Sequence, residues 1–148
     1  MNKQILIVLV SLHFLMGCSA TPPKLGIMDR QLIPCPNKPN CVSSQATDKK
    51  HYIQPIHFTG TPQDAKNRLL QILNTLERTK IIVVRENYIR IEFTSKIFQF
   101  IDDAEFYFPA TNTEHSIIHF RSASRIGYSD LGANKKRIEQ IRDTFKGY

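Results

Sequence analysis

Ile81-Ile82-Val83-Val84-Arg85-Glu86-Asn87-Tyr88-Ile89-Arg90-Ile91-Glu92-Phe93-Thr94 is the stretch that decides the fold. Two runs rich in β-branched and aromatic residues flank Glu86-Asn87, and this spacing predicts a hairpin with strands over 81–85 and 88–94. Pairing Arg85 with Tyr88 sets Val84 against Ile89 and Ile82 against Ile91, and leaves Ile81, Val83, Arg90 and Glu92 on the other side. Downstream, Ala104, Phe106 and Phe108 alternate with Asp103, Glu105 and Tyr107, which predicts a third strand over 103–108 with the first set inward. A fourth is expected over 116–122. Upstream, residues 52–58 make a strand that Pro55 demotes to an edge or a broken one. Thr61 is a good N-cap, Pro62 suits the first helical position, Asp64 complements the helix dipole, and Ala65, Leu69, Ile72, Leu73 and Leu76 share one face. A last helix ends near Lys146, with Leu131, Ile138, Ile141 and Phe145 on its apolar stripe. Consecutive hairpins and two amphipathic helices predict an α+β, two-layer sandwich in which a mainly antiparallel sheet of about 4–5 strands packs against two helices.

The N-terminus carries an address. Lys3 precedes a short apolar run from Ile5 to Leu15, too short to span a membrane, and small residues follow, the layout of a secretory signal. Leu15-Met16-Gly17-Cys18 resembles the lipobox of bacterial lipoproteins, with Met16 a less usual occupant of its position. That resemblance implies removal of residues 1–17, lipid on Cys18 and a membrane partner reached through it. Ser19 stands where an Asp typically retains such proteins in the inner membrane, which implies an outer-membrane location facing the periplasm. The competing readings are an ordinary signal peptide with a chance cysteine, or a short uncleaved anchor. Residues 18–31 are expected to form the lipidated cysteine and a flexible tether, and residues 32–148 one domain.

Loss of the signal removes only Lys3 from the charged residues, leaving 19 Lys and Arg against 13 Asp and Glu. The positive charge is spread along the chain and has no aromatic and basic interleaving, so nucleic acid is not an expected partner. Cys35 and Cys41 sit in Pro34-Cys35-Pro36-Asn37-Lys38-Pro39-Asn40-Cys41, and an oxidising compartment favours a disulfide between them. Zinc, with His51 and His57 as further ligands, is the competing use, and the spacing of the cysteines does not suit it. No metal and no cofactor are expected.

Polar residues that could carry function run from Ser95 to Arg137, with Phe100-Ile101-Asp102-Asp103-Ala104-Glu105-Phe106 followed by Arg121-Ser122-Ala123-Ser124-Arg125-Ile126-Gly127-Tyr128-Ser129-Asp130-Leu131-Gly132, Asn134 and Arg137. With Pro34-Cys35-Pro36 and Asn40-Cys41-Val42-Ser43-Ser44, these strings closely resemble domain of unknown function family 1499, from about Leu32 to Phe145. That resemblance implies a fold and an address, with no established activity or catalytic residues to carry over.

Strand alternation places Glu105 opposite His119 or Arg121, and Asp103 opposite Arg121 or Ala123. One reading is structural: Asp102, Asp103 and Glu105 form a charge network with Arg121 and Arg125 that fixes the hairpin. Another is a site for a small anionic ligand or an envelope protein, built from Arg121, Ser122, Ser124, Arg125, Tyr128, Asp130, Asn134 and Arg137 beside the last helix's N-terminus, with Arg125 exposed. An envelope hydrolase or transferase using Asp102, Asp103, Glu105, Arg121 and Arg125 is the alternative. Asp102 and Asp103 should diverge to opposite sheet faces, which argues against a shared proton. Catalytic residues therefore stay unassigned, and no catalytic motif is present.

Overall fold

In the computed structural model, Thr21 and residues 23–147 are described. Residues 1–17, read as a signal segment, and Cys18 and Ser19 lie outside the described residues. Among the described residues, eight strands and two helices follow one another: β1 (Ile27–Met28), β2 (Gln31–Leu32), β3 (Cys41–Ser43), β4 (Ile56–Thr59), α1 (Pro62–Asn74), β5 (Thr79–Arg85), β6 (Tyr88–Thr94), β7 (Ile101–Tyr107), β8 (His115–Ser124) and α2 (Ala133–Lys146). β5 to β8 form an antiparallel meander. β3 and β4 both pair with β8, β3 along residues 121–123 and β4 along 115–118, which makes six strands rather than four or five. The extra strand is β3, whose three residues, next to a disulfide, are too few to show a period in the sequence.

The α+β class holds, with both helices on one face. Ala65, Leu69, Ile72 and Leu73 of α1 and Ile138, Ile141 and Phe145 of α2 share a core with Ile89, Ile91, Ala104, Phe106, Ile118 and Phe120 of the sheet. α1 starts as its sequence dictates: Thr61 accepts a hydrogen bond from the Asp64 amide, the Asp64 side chain accepts from the Thr61 amide, and Pro62 opens the first turn. Leu131 does not join the apolar stripe of α2. It precedes the helix with φ 53° and is almost fully exposed.

The first hairpin pairs as expected at its turn, Arg85 with Tyr88 and Val84 with Ile89, and then departs from that pattern. A bulge between Ile81 and Val83 pairs Val83 with Arg90 and Ile81 with Ile91, so Ile82 does not face Ile91. One extra residue reverses the alternation beyond it. Ile81 consequently packs against the helix-side core, while Val83 packs on the opposite face.

That opposite face is not open to solvent. The segment expected to be tether is, from Gly26 onward, a strap across it: β1 pairs with β2, and Ile27 and Leu32 pack with Tyr88, Tyr107 and Val83. The Gly26 amide donates to Glu105 Oε1 at 2.8 Å, and the Leu32 amide donates to Gln45 Oε1 at 2.8 Å. Among the described residues no helix is long and apolar enough to cross a membrane.

Candidate functional site

The register resolves the two pairings left open: Glu105 lies opposite Arg121, and Asp103 opposite Ala123. Asp102 and Asp103 diverge as expected. Asp102 lies on the helix side, where Arg137 of α2 donates to it at 2.8 Å, while Asp103 lies on the strap face. Two carboxylates on opposite sides of a sheet cannot share a proton.

Asp103 is the centre of the charge network. It is almost fully buried and accepts from Arg125 Nε at 2.7 Å and Nη2 at 2.9 Å, a two-pronged pair, and from Arg90 Nη2 at 2.8 Å. Arg125 Nη2 also contacts Glu92, whose carboxylate lies 3.6 Å from Arg90 Nη2. Two arginines and two carboxylates thus alternate across β6, β7 and the end of β8. The expectation that Arg125 is exposed is overturned: its side chain is only 4% exposed. Its guanidinium is held even more firmly protonated than usual by its hydrogen bonds to Asp103 and Glu92. Arg90 and Glu92 carry half of this network, and their shared placement away from Ile89 and Ile91 in the hairpin reading was the available signal for it.

Arg121 is the contrasting case. It is buried, its nearest contact to Glu105 is a long 3.5 Å, and its Nε is a buried donor without a partner among the described residues. Burial pulls its guanidinium toward losing its proton, against the attraction of Glu105. Burial also raises the Glu105 pKa, although the Tyr88 hydroxyl donates to that carboxylate at 2.7 Å. Tyr88 is itself driven upward by burial and by Glu105. The group draws one member from each of β6, β7 and β8, and the strap closes it through the Gly26 amide.

The remaining predicted ligand residues fall into a polar joint between β8 and α2. Asn134 is fully buried, accepts from Ser122 Oγ at 2.5 Å, and donates to Ser124 Oγ at 3.1 Å and to the Asn40 carbonyl. Arg137 donates to Asn134 Oδ1 at 3.0 Å, and its guanidinium lies over the Phe93 ring. Asp130 occupies the start of α2, accepting from the Gly132 amide at 3.0 Å and the Asn134 amide at 2.8 Å. A carboxylate thus already sits where a helix N-terminus would take an anion. Tyr128 is exposed in the loop that precedes α2. Ser122 and Ser124 face Asn134 of α2 on the helix side, whereas Arg121 and Arg125 lie on the opposite face of the sheet, so the predicted set does not converge on one site.

Cys35 and Cys41 are joined in a disulfide. His51, the competing zinc ligand, is tied to Asp48 through Nδ1 and to the Lys38 carbonyl through Nε2. Sequence patterns place no partner for Ser44. The structure puts its hydroxyl 3.2 Å from His119 Nδ1, and burial lowers the His119 pKa, favouring the neutral ring. That hydroxyl also accepts from the Phe120 amide at 2.9 Å and lies 3.4 Å from its carbonyl, so it clasps the end of β3 to β8. The signal for this clasp is register: Ser43 pairs with Arg121, which sets Ser44 beside Phe120.

No curated protein matches this chain. The description Protein of unknown function (DUF1499) applies to residues 31–145, nearly the whole of the sheet and helices just described, and the chain belongs to that family.

Proposed function

We propose that this chain is an outer-membrane-anchored envelope lipoprotein, held by lipid on Cys18, whose domain is a non-enzymatic binding or scaffold module. The observation that carries the reading of the domain is the occupancy of Asp103: two arginines already converge on one buried carboxylate. An acid or base needs a free lone pair or an exchangeable proton facing substrate, and a ligand-binding arginine needs spare donors. Asp103 and Arg125 satisfy each other instead, which is how a charge network fixes a register. Leu15-Met16-Gly17-Cys18 supports the anchor, and Ser19 supports the outer membrane. Mass spectrometry of protein extracted from membranes tests the anchor. The expected species begins at Cys18 and carries acyl chains, and Cys18→Ser releases the protein from washed membranes. A species retaining residues upstream of Cys18, or unmodified at Cys18, would refute it.

A further inference from the structure

The hairpin loop between β6 and β7 carries the most conspicuous apolar surface. Ile97 is 79% and Phe98 71% exposed, Phe100 is also exposed, and the rings of Phe98 and Phe100 stack with centroids 5.4 Å apart. The loop has a defined shape. The Ser95 amide donates to the Phe100 carbonyl at 2.9 Å, the Phe100 amide donates to Ser95 Oγ at 2.9 Å, and Gln99 turns the chain with φ 55°. Fixing large apolar side chains in water, where nothing among the described residues covers them, is unfavourable unless another surface does.

Three further features sit at this end of the sheet. The Arg125 amide donates to the Ile101 carbonyl, so the end of β8 lies beside the base of the tip, and the loop beyond it turns toward β3, where the Asn40 side-chain amide donates to the Gly127 carbonyl. Lys96 on the tip and Lys136 in the first turn of α2, one turn ahead of Gln140, which lines the same cleft as Lys96, are exposed, and among the described residues they form no ion pair. Acidic side chains nearby are engaged: Asp130 caps α2, Asp102 holds Arg137, and Glu77 pairs with Arg78. An apolar tip with a rim of ammonium groups complements acyl chains beneath anionic headgroups.

The chain path agrees with this. Gly26 is fixed at Glu105, four residues along β7 from Ile101, a separation of about 13 Å at strand spacing. Residues 18–25, fully extended, reach at most about 28 Å. An acyl group on Cys18 can therefore enter the same bilayer that the tip touches.

We propose that Ile97, Phe98 and Phe100, rimmed by Lys96 and Lys136, dock the domain on an anionic lipid surface. This concerns how the domain sits on a membrane; it rests on the lipoprotein reading for its setting and makes a separate physical claim. The chain has no tryptophan, so Phe98→Trp in the full chain is a clean reporter. It is made in both the Cys18 and the Cys18→Ser backgrounds and mixed with phosphatidylglycerol or phosphatidylcholine vesicles. The expected result in both backgrounds is a blue shift and quenching by brominated acyl chains on phosphatidylglycerol vesicles, reversed by high salt in the Cys18→Ser chain. Ile97→Ser with Phe100→Ser should weaken partitioning about tenfold in that chain. A Val84→Trp reporter, on an exposed site of β5, should not shift. Acylated protein on vesicles with unchanged emission from the Phe98→Trp reporter would overturn the proposal while leaving the anchor intact. A shift in the Cys18→Ser chain when Cys18 proves unacylated in cells would overturn only the anchor. An emission shift that depends on protein concentration without vesicles would show a second copy on the tip and overturn the lipid assignment.

Discussion

Replacing Arg125 with Met keeps most of the side-chain volume and removes the fork that grips Asp103. Among the described residues Asp103 then keeps only the hydrogen bonds of Arg90, whose Nε and Nη2 lie 3.2 and 2.8 Å from Oδ1, and Oδ2 loses its guanidinium donor. Breaking a buried pair outright costs about 3 to 5 kcal/mol. Because Arg90 still neutralises the carboxylate, the expected loss lies below that range, at about 2 to 3 kcal/mol, or two charge-assisted hydrogen bonds less the desolvation that Met avoids. For a domain of this size that is a fall in Tm of about 6 to 12 °C. Arg125→Lys restores charge without the fork and should recover about half of the loss. The strongest check is a double-mutant cycle read by urea unfolding with circular dichroism. Arg90→Met with Arg125→Met removes both guanidiniums that hydrogen-bond Asp103, leaving only the more distant charge of Arg121, so the pair should cost at least about 1 kcal/mol more than the sum of the singles, with unchanged m-values. Arg125→Met within about 0.5 kcal/mol of wild type, or strict additivity with Arg90→Met, would refute the view that this network holds the sheet together.

Two more consequences follow from the strap face. Opening the Cys35–Cys41 bond, by reduction or by replacing both cysteines with Ser, should lower stability by about 2 kcal/mol for so short a loop, measured as a shift in urea midpoint, and thiol labelling of denatured, unreduced protein should find neither cysteine. Glu105 is raised by burial, so between its unfolded and folded pKa the native state holds more protons than the unfolded chain, and its contribution to stability, full below the unfolded value, is lost as pH rises through that window. The stability of Glu105→Gln relative to wild type should therefore climb as pH rises from about 4.5, and a difference that stayed flat or fell would show that the carboxylate is not disfavoured by burial.

How much of the fold is legible in the sequence depends on which signals are local. The α1 cap, the turn at Glu86-Asn87 and the divergence of Asp102 from Asp103 depend on residues a few positions apart, and each is readable. The bulge at Ile82 is not, because one inserted residue leaves the composition of β5 unchanged while reversing which side chains meet the core. Burial of Arg125 is hidden for a different reason. Its amide meets the Ile101 carbonyl, but its guanidinium reaches diagonally to Asp103 and Glu92, and a residue past the predicted strand end looks exposed until the strand is seen to run to Ser124. The strap leaves no periodic signal, because residues 26–32 contribute only one buried apolar residue, Leu32, one half-buried one, Ile27, and two amide donors.

The strap also accounts for the chemistry of the face it covers. Helices on one side supply a continuous apolar surface, and there the sheet presents Ile, Phe and Ala. On the other side two short strands supply little more than Ile27 and Leu32, which cover the Tyr88–Tyr107 end and leave Arg90, Glu92, Asp103, Glu105, Arg121 and Arg125 to pack against one another. Paired charges tolerate a thin cover better than exposed apolar groups do, since whatever water penetrates lowers the cost of desolvating them. The pairing is tight at Asp103 and loose at Arg121, so the two arginines serve different ends. Arg125 locks the register of three strands. Arg121 fills space beside a carboxylate that burial already pushes toward neutrality, and Arg121→Met should therefore perturb stability less than Arg125→Met in the same urea titration, the reverse ordering being enough to discard this division of roles.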